Sequence, residues 1–376
     1  MTTPLGYLEP KHVELAEAVR AQFAEIEARI EDEGDDAKLV KRVAALGRYR
    51  LLVPASYGGV NPTVDVRSVC VVREALAYRN AAADSVFAVQ GLGSHPVLLG
   101  GTEDQKRALL PKVADGTALF AFALTEAEAG SDVAALATRA VRDGDGYILD
   151  GRKKFISNAG VATHYTVFAR TGEGNKGISA FVVPADTPGF RVASRMQLLG
   201  DHPIGELEFT RCRIPASARL GEEGTGMRLA LSTLDVFRST VGAAAVGMAQ
   251  RALDEAIAWA KTRRQFGAPL AELQGVQFLL AESAVELEAS RLLVHRAAAV
   301  KDSGQARVTY EAAVAKLQAT EAAQRIIDRA LQIHGGSGVV KGTVVERLYR
   351  DIRALRIYEG ATEVQKVVIA RHLLGR

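Results

Sequence analysis

Apolar residues recur at helical spacing over the first part of the chain, lose that spacing in the middle, and regain it to the end. Leu15, Val19, Phe23, Ile26 and Ile30 step by three or four, as do Leu39, Val43 and Leu46, which predicts amphipathic helices. Residues 54–62 hold Gly58, Gly59 and Asn61 and read as a loop. Thr102 and Gln105 have the spacing of a capping box and mark a helix start. Between residues 119 and 226, turn clusters at 143–146, 150–151 and 172–175 separate short β-prone runs at 147–149, 165–168, 178–183 and 207–209. Beyond Met227 the pattern is helical again, over 240–263, 273–302 and 306–334, with few breakers beyond Gly242 and Gly247 in the first of these. A short last helix follows. Thr362 and Gln365 suit its N-cap and N3 positions, and Val364, Val367, Val368 and Leu374 share one face that Arg371 interrupts. The predicted fold is an α+β multidomain one. An N-terminal helical domain spans 1–118, a small middle β-barrel or sandwich spans 119–228, and a C-terminal four-helix bundle spans 229–376.

Composition narrows the function classes. A chain of 376 residues exceeds one typical core, so several domains or layers are expected. Its 47 basic and 44 acidic residues leave a net charge of +3 without a basic stripe, which argues against nucleic acid as a partner. Cys70 and Cys212 stand far apart with no CxxC, and the seven His are scattered, so neither a disulfide framework nor a metal site is expected. The N-terminal residues lack the apolar core of a signal peptide, and the small-apolar run at 241–249 is too short to cross a bilayer. These features predict a soluble, cytoplasmic protein that binds no membrane.

Five short constellations carry candidate chemistry. Tyr358-Glu359-Gly360 sets one carboxylate on a bend before the last helix, whose N-terminus favours negative charge. Such a carboxylate can take a proton beside a carbonyl while nearby donors hold the oxyanion, although by itself the pattern reads first as a surface Glu in a helix-entry turn. Residues 123–132, Ala-Leu-Thr-Glu-Ala-Glu-Ala-Gly-Ser-Asp, offer hydroxyls, N–H groups and a glycine that permit close approach of a flat polar ligand, or simply a capped turn. In Lys154-Phe155-Ile156-Ser157-Asn158, strand alternation sets Phe155 and Ser157 on one face, for a ring ligand or a cross-strand pair. Arg263-Arg264-Gln265-Phe266-Gly267, with Gln274 beyond it, suits a pyrophosphate or compensates a helix C-terminus. Gln332-Ile333-His334-Gly335-Gly336-Ser337-Gly338 ends a helix with backbone N–H groups available, and His334 reads as a packing residue. It is no GxGxxG fingerprint, and no strand precedes it, so a Rossmann site is rejected.

In this order and at these spacings, the five motifs resemble those of the acyl-CoA dehydrogenases over almost the whole chain. Residues 123–135 agree with the family's first consensus at every constrained position. The second agrees from Gln332 through Gly338 and at Arg347 and Asp351, but Gly342 stands where an acidic residue is usual and Val339 where an aromatic is frequent. The resemblance implies an FAD enzyme that converts an acyl thioester to its trans-2-enoyl product, with Glu359 as the base for the α proton. Phe237 stands where some members carry the base instead, and it cannot take a proton. Phe122, Leu124, Thr125, Gly130 and Ser131 match a flavin-cradling segment, with Ser131 also near the substrate arm. Phe155 and Ser157 match residues beside the flavin ring, although Trp is usual at the former. Arg263, Gln265, Phe266 and Gln274 match residues reaching the FAD of a neighbouring subunit, and Gln332, Gly335 and Gly336 match its adenine and pyrophosphate contacts. Thr362 and Glu363 lie where the last helix meets the cofactor, with Ala361 replacing a frequent Thr. Asp235 and Arg238, together with Glu359 and Gly360, match substrate-binding positions. The implied partners are an acyl-CoA or acyl-carrier-protein thioester, an electron-transferring flavoprotein, and further copies of the chain as a dimer of dimers. Flavin monooxygenases and oxidases of the same architecture are the alternative chemistry, and a non-catalytic scaffold is the alternative class.

Overall fold

A computed structural model describes residues 6–24 and 35–375. The helices are α1 Pro10–Phe23, α2 Asp36–Ala45, α3 Val66–Arg79, α4 Ala81–Gly100 and α5 Glu103–Asp115, then α6 Gly226–Thr262, α7 Gln274–Asp302, α8 Thr309–His334, α9 Val344–Leu355 and α10 Thr362–Leu373. Between α5 and α6 lie β1 Phe120–Ala123, β2 Arg139–Asp143, β3 Gly146–Ser157, β4 His164–Arg170, β5 Ile178–Pro184, β6 Phe190–Arg195, β7 Ile204–Pro215 and β8 Arg219–Leu220. Helices, strands and helices therefore follow one another as the hydrophobic pattern predicts. The predicted Thr102–Gln105 capping box forms, with both reciprocal hydrogen bonds, at 3.2 and 2.7 Å. Ile26 and Ile30 lie outside the described residues.

In space the chain gathers into two compact units. Of the described residues, one unit holds the strands with 35–65 and 85–234, and the other holds 6–24, 66–84 and 235–375. In the first, the strands run in the order β6-β7-β3-β2-β4-β5-β8, with β1 parallel to β4. Both faces of β4 are covered. Tyr165, Val167 and Ala169 enter a core with Tyr147, Leu149, Leu207 and Phe209, while Phe168 enters a second core with Val97, Leu110 and Val113 of α4 and α5. Helix α4 lies close on β1. A Cβ on Gly93 would meet Phe120 Cβ at 2.8 Å, and the buried Gln90 amide pairs with the Phe120 N–H and the Ala118 carbonyl.

The second unit is built on small residues. A Cβ on Gly247 of α6 would sit 2.1 Å from the Glu74 carbonyl oxygen of α3, and one on Gly242 would crowd Val294 of α7 and Ala319 of α8. The two apparent breakers of α6 are therefore where neighbouring helices touch. Fully buried Arg73 on α3 binds both oxygens of Asp84, at 2.9 and 2.7 Å, and donates to the Thr240 hydroxyl at 2.8 Å.

Three local expectations are corrected. Helix α6 begins at Gly226, not at 240, because residues 226–239 contain no breaker after the first glycine. The run at 241–249 thus belongs to a helix of 37 residues, long and apolar enough to cross a membrane, but 83% of its apolar window is buried inside the protein. The Thr362–Gln365 capping box does not form. Ala361 is the N-cap, the Thr362 hydroxyl donates to Glu321, and the Gln365 side chain turns to the carbonyls of residues 359 and 360. Val367 and Leu374 of the predicted apolar face are largely exposed on the chain.

Because no methyl group fits between α3 and α6, Gly247→Ala should lower stability by about 1–3 kcal/mol despite its better helix propensity. A urea midpoint at or above that of the wild type would contradict the close approach.

Candidate functional site

In the helical unit, candidate chemistry centres on the bend between α9 and α10. Leu348, Ile352 and Leu355 anchor α9 in the core, and the Tyr358 N–H still bonds back to Ala354 at 3.1 Å. The chain then turns through two left-handed residues, Glu359 at φ 53° and Gly360 at φ 96°. A left-handed glutamate is strained and persists only where its surroundings hold it. Here side chains from three helices do so. Arg238 Nε of α6 and Gln365 Nε2 of α10 donate to the Glu359 carbonyl at 3.2 and 3.3 Å. Lys316 Nζ of α8 and Gln365 Nε2 donate to the Gly360 carbonyl at 2.8 and 2.9 Å.

Glu359 as a residue is partly exposed, yet its Oε2 is enclosed and has no hydrogen-bond partner. Burial pushes its carboxyl up from the ordinary glutamate range and nearby Asp84 adds to the rise, while Arg73, Arg238 and Lys316 oppose it. Two of these cations are matched by carboxylates of their own. Arg73 is held by Asp84, and Arg238 by Asp235 at 3.3 Å, whose other oxygen accepts from Thr309 at 2.6 Å. Asp235 and Arg238, predicted to meet substrate, thus engage partners within the unit and support the bend. Phe237 is fully buried on α6.

The remaining predicted positions of this unit are mostly open. Trp259 of α6 stacks on His334 of α8 with centroids 4.9 Å apart, and His334 Nδ1 donates to the Ala330 carbonyl at 2.7 Å, so this histidine is a packing residue. The stack sets the C-terminal ends of α6 and α8 side by side. Beyond α6, Arg264-Gln265 and Ala268-Pro269 pair as a short hairpin. Its tip is Phe266 and Gly267, both at positive φ, as a tight primed turn requires. Phe266 is 93% exposed there. Arg263, Gln265, Gln274 and Gln332 are exposed too, and nothing lies within 4 Å of a Cβ built on Gly335 or Gly336. Thr362 differs. Its hydroxyl is committed to Glu321 at 2.5 Å and its N–H to Arg356 at 3.0 Å, leaving Glu363 as the exposed member of that pair.

In the β unit, Phe122 packs on Phe168, Leu124 is buried, and Thr125 is partly exposed. Gly130 and Ser131 are exposed, and a Cβ on Gly130 would meet nothing within 4 Å. This segment is fastened from beneath. Fully buried Lys153 donates to the Leu124 carbonyl at 3.1 Å and pairs with Glu126 at 2.7 Å, while Glu126 also accepts from the N–H groups of Ala137 and Thr138. The alternation argument for Phe155 and Ser157 is corrected. The β3–β7 register shifts between Lys153 and Ile156, and Phe155 sits at φ 57°, so a bulge and not strand alternation turns its ring outward, half-exposed. Ser157 Oγ lies 3.1 Å from Nε2 of His202, whose ring burial pulls down to about 4 and so keeps neutral near pH 7.

Sequence reasoning missed His202, because nothing in its spacing links it to Ser157. It also missed Lys316 and Gln365 as supports of the bend. Lys316 leaves a signal, since it interrupts a buried small-residue face made by Ala312, Ala315 and Ala319. Cys70 and Cys212 are buried and form no disulfide, and no metal-holding cluster occurs among the described residues.

Models of the acyl-CoA dehydrogenase N-terminal, middle and C-terminal domains match residues 10–117, 121–212 and 224–374. A protein named probable acyl-CoA dehydrogenase from Mycobacterium leprae is 41% identical over 376 residues, covering 98% of this chain and 96% of that protein. The structure of butyryl-CoA dehydrogenase from Megasphaera elsdenii superimposes with a TM-score of 0.93 at 36% identity, covering 100% of both chains. A chain from a structural study of the electron transferring flavoprotein of Acidaminococcus fermentans also gives 0.93 at 36% identity, covering 98% of this chain and 99% of that one.

The enclosed Glu359 carboxyl has a pH signature. Its folded value lies above its unfolded one, so the folded state holds the proton longer and stability falls as pH rises from about 4.5 through the raised value. Glu359→Gln removes that loss. The variant should melt a few degrees above the wild type at neutral pH, with the gain vanishing below pH about 4.5. A constant difference across that range would mean that the carboxyl titrates normally.

Proposed function

The chain belongs to the acyl-CoA dehydrogenase family of flavoprotein oxidoreductases, and we propose that it is an FAD enzyme dehydrogenating an acyl-CoA thioester at its α and β carbons. The observation that carries this reading is the Glu359 carboxylate, enclosed at Oε2 without a hydrogen bond, on a bend held by three side chains. Such an oxygen is free to accept a proton, and its raised affinity brings it nearer the range useful to a base. Glu359 takes the α proton as the Cα–H bond breaks, and its own N–H is a donor for the thioester carbonyl oxygen where negative charge develops. Bound FAD supplies the two-electron acceptor for the β hydrogen.

The residues present fit such a cofactor. Phe155 offers a half-exposed ring on a bulge, Ser157 a hydroxyl oriented by a neutral histidine, and Gly130-Ser131 an open backbone. Leu124 and Thr125 border that backbone, and Phe122 backs it. Arg263, Gln265, Phe266, Gln274, Gln332, Gly335 and Gly336 remain outward-facing on the other unit. Phe266, almost wholly exposed on a hairpin tip at positive φ, suits a contact with another copy, and a dimer of dimers is the proposed assembly. An electron-transferring flavoprotein is the proposed acceptor, supported by the likeness to the chain from the Acidaminococcus fermentans study. The cytoplasm is its proposed location.

The test is anaerobic mixing of the yellow protein with straight-chain and branched acyl-CoAs. The flavin should bleach with at least one of them, and reoxidation by oxygen should be slow. Glu359→Gln should keep its flavin and bind acyl-CoA, while bleaching slows by about 10²–10⁴-fold. Bleaching at an unchanged rate would remove Glu359 from the role of base.

A further inference from the structure

We propose that Lys316 is a positioning residue for Glu359, pinning the Gly360 carbonyl while its unmatched charge holds the neighbouring carboxylate toward its anionic form. The proposal rests on Glu359 being the base, but its test does not.

The geometry is unusual for a lysine. Lys316 is 0% exposed in the middle of the Ala-rich face of α8, and its one hydrogen bond among the described residues goes to a neutral acceptor, the Gly360 carbonyl at 2.8 Å. No carboxylate of the described residues pairs with it at salt-bridge distance. A buried ammonium without a paired carboxylate is costly, so a protein keeps one only where another charge compensates it through space. The largest such compensation for Lys316 comes from Glu359, followed by Glu321, with Arg238 and Arg356 opposing.

Glu359 presents the complementary case, a carboxylate whose Oε2 is enclosed with no hydrogen-bond partner. The groups facing it are Arg73 from α3, Asp84 from α4, Arg238 from α6 and Lys316 from α8. Arg73 is neutralised by Asp84 and Arg238 by Asp235, each in its own ion pair. Arg73 and Arg238 act on the carboxylate more strongly, but Lys316 is the one of the three without an ion pair of its own among the described residues. Burial draws the Lys316 ammonium down to about 8, so it is still charged at neutral pH. Its role is also mechanical. The hydrogen bond to residue 360 fastens the second of the two left-handed residues, and the bend aims the carboxylate.

The experiment reads Glu359 directly, from the infrared carboxyl band that disappears in Glu359→Gln, titrated on the flavin-loaded protein below pH 8 without substrate. In Lys316→Met the midpoint should rise by about one to three pH units. Lys316→Arg should restore most of the wild-type value. Asp235→Asn, which releases the charge of Arg238, should move the midpoint the other way. If Lys316→Met does not fold, Lys316→Gln, a neutral residue that can still donate, should show the same rise. A midpoint within about 0.3 of wild type in a folded neutral variant, even one that melts earlier, would leave Lys316 a structural residue only and overturn the proposal. Failure of every acyl-CoA to bleach the wild-type flavin would instead remove the dehydrogenase reading and leave this titration intact.

Discussion

An enclosed carboxylate oxygen without a hydrogen bond is the constraint around which the helical unit is arranged. Glu359 Oε2 would cost little on the surface, but enclosed at the bend it must be compensated or protonated. The surrounding helices bring Arg73, Arg238 and Lys316 toward it, and the carboxylates of Asp84 and Asp235 cancel two of these charges. The balance leaves an acid held more weakly as an anion than a surface glutamate and more strongly than an isolated buried one. The close contacts of α6 with α3, α7 and α8 at Gly242 and Gly247 keep these charged groups at fixed positions.

Backbone strain recurs where function is proposed. Five non-glycine residues among those described have positive φ: Phe155, Asn158, Arg211, Phe266 and Glu359. Three of them are predicted site residues, and each turns its side chain away from the direction regular structure would give it. Phe155 is turned out by a bulge, Phe266 by a primed turn, and Glu359 by a bend clamped at two carbonyls. Strain of this kind costs on the order of 1–3 kcal/mol per residue and persists only when neighbouring contacts over-determine it. Beneath the β-unit segment, the buried Lys153–Glu126 pair supplies such contacts, holding the Leu124 carbonyl and the N–H groups of Ala137 and Thr138 in one network.

Much of this could be read from the chain alone. The loss of helical periodicity in the middle of the chain, with turn clusters between short β-prone runs, and its later return marked the order of elements, and the motif order identified the family whose domain models match nearly end to end. Glu359 was found because a carboxylate before a glycine and a helix start is a local pattern. Its supports were not read as such, because Lys316 and Arg238 lie far off in sequence and no local spacing ties either of them to the bend. The same holds for His202 and Ser157, 45 residues apart with β4, β5 and β6 between them. Capping at Thr362 was misread because other partners outcompete the box: distant Glu321 takes its hydroxyl, and the carbonyls of residues 359 and 360 on the preceding bend take the Gln365 amide.

The sequence by itself determined the succession of secondary structure, the family, and the candidate acid. These depend on short-range periodicity and on residue types at fixed local spacing. Tertiary structure alone decided how α1 and α3 group with the C-terminal helices, where backbone is held in left-handed conformation, and which cations face Glu359 unmatched. Those outcomes depend on which distant side chains meet, and no local spacing encodes that.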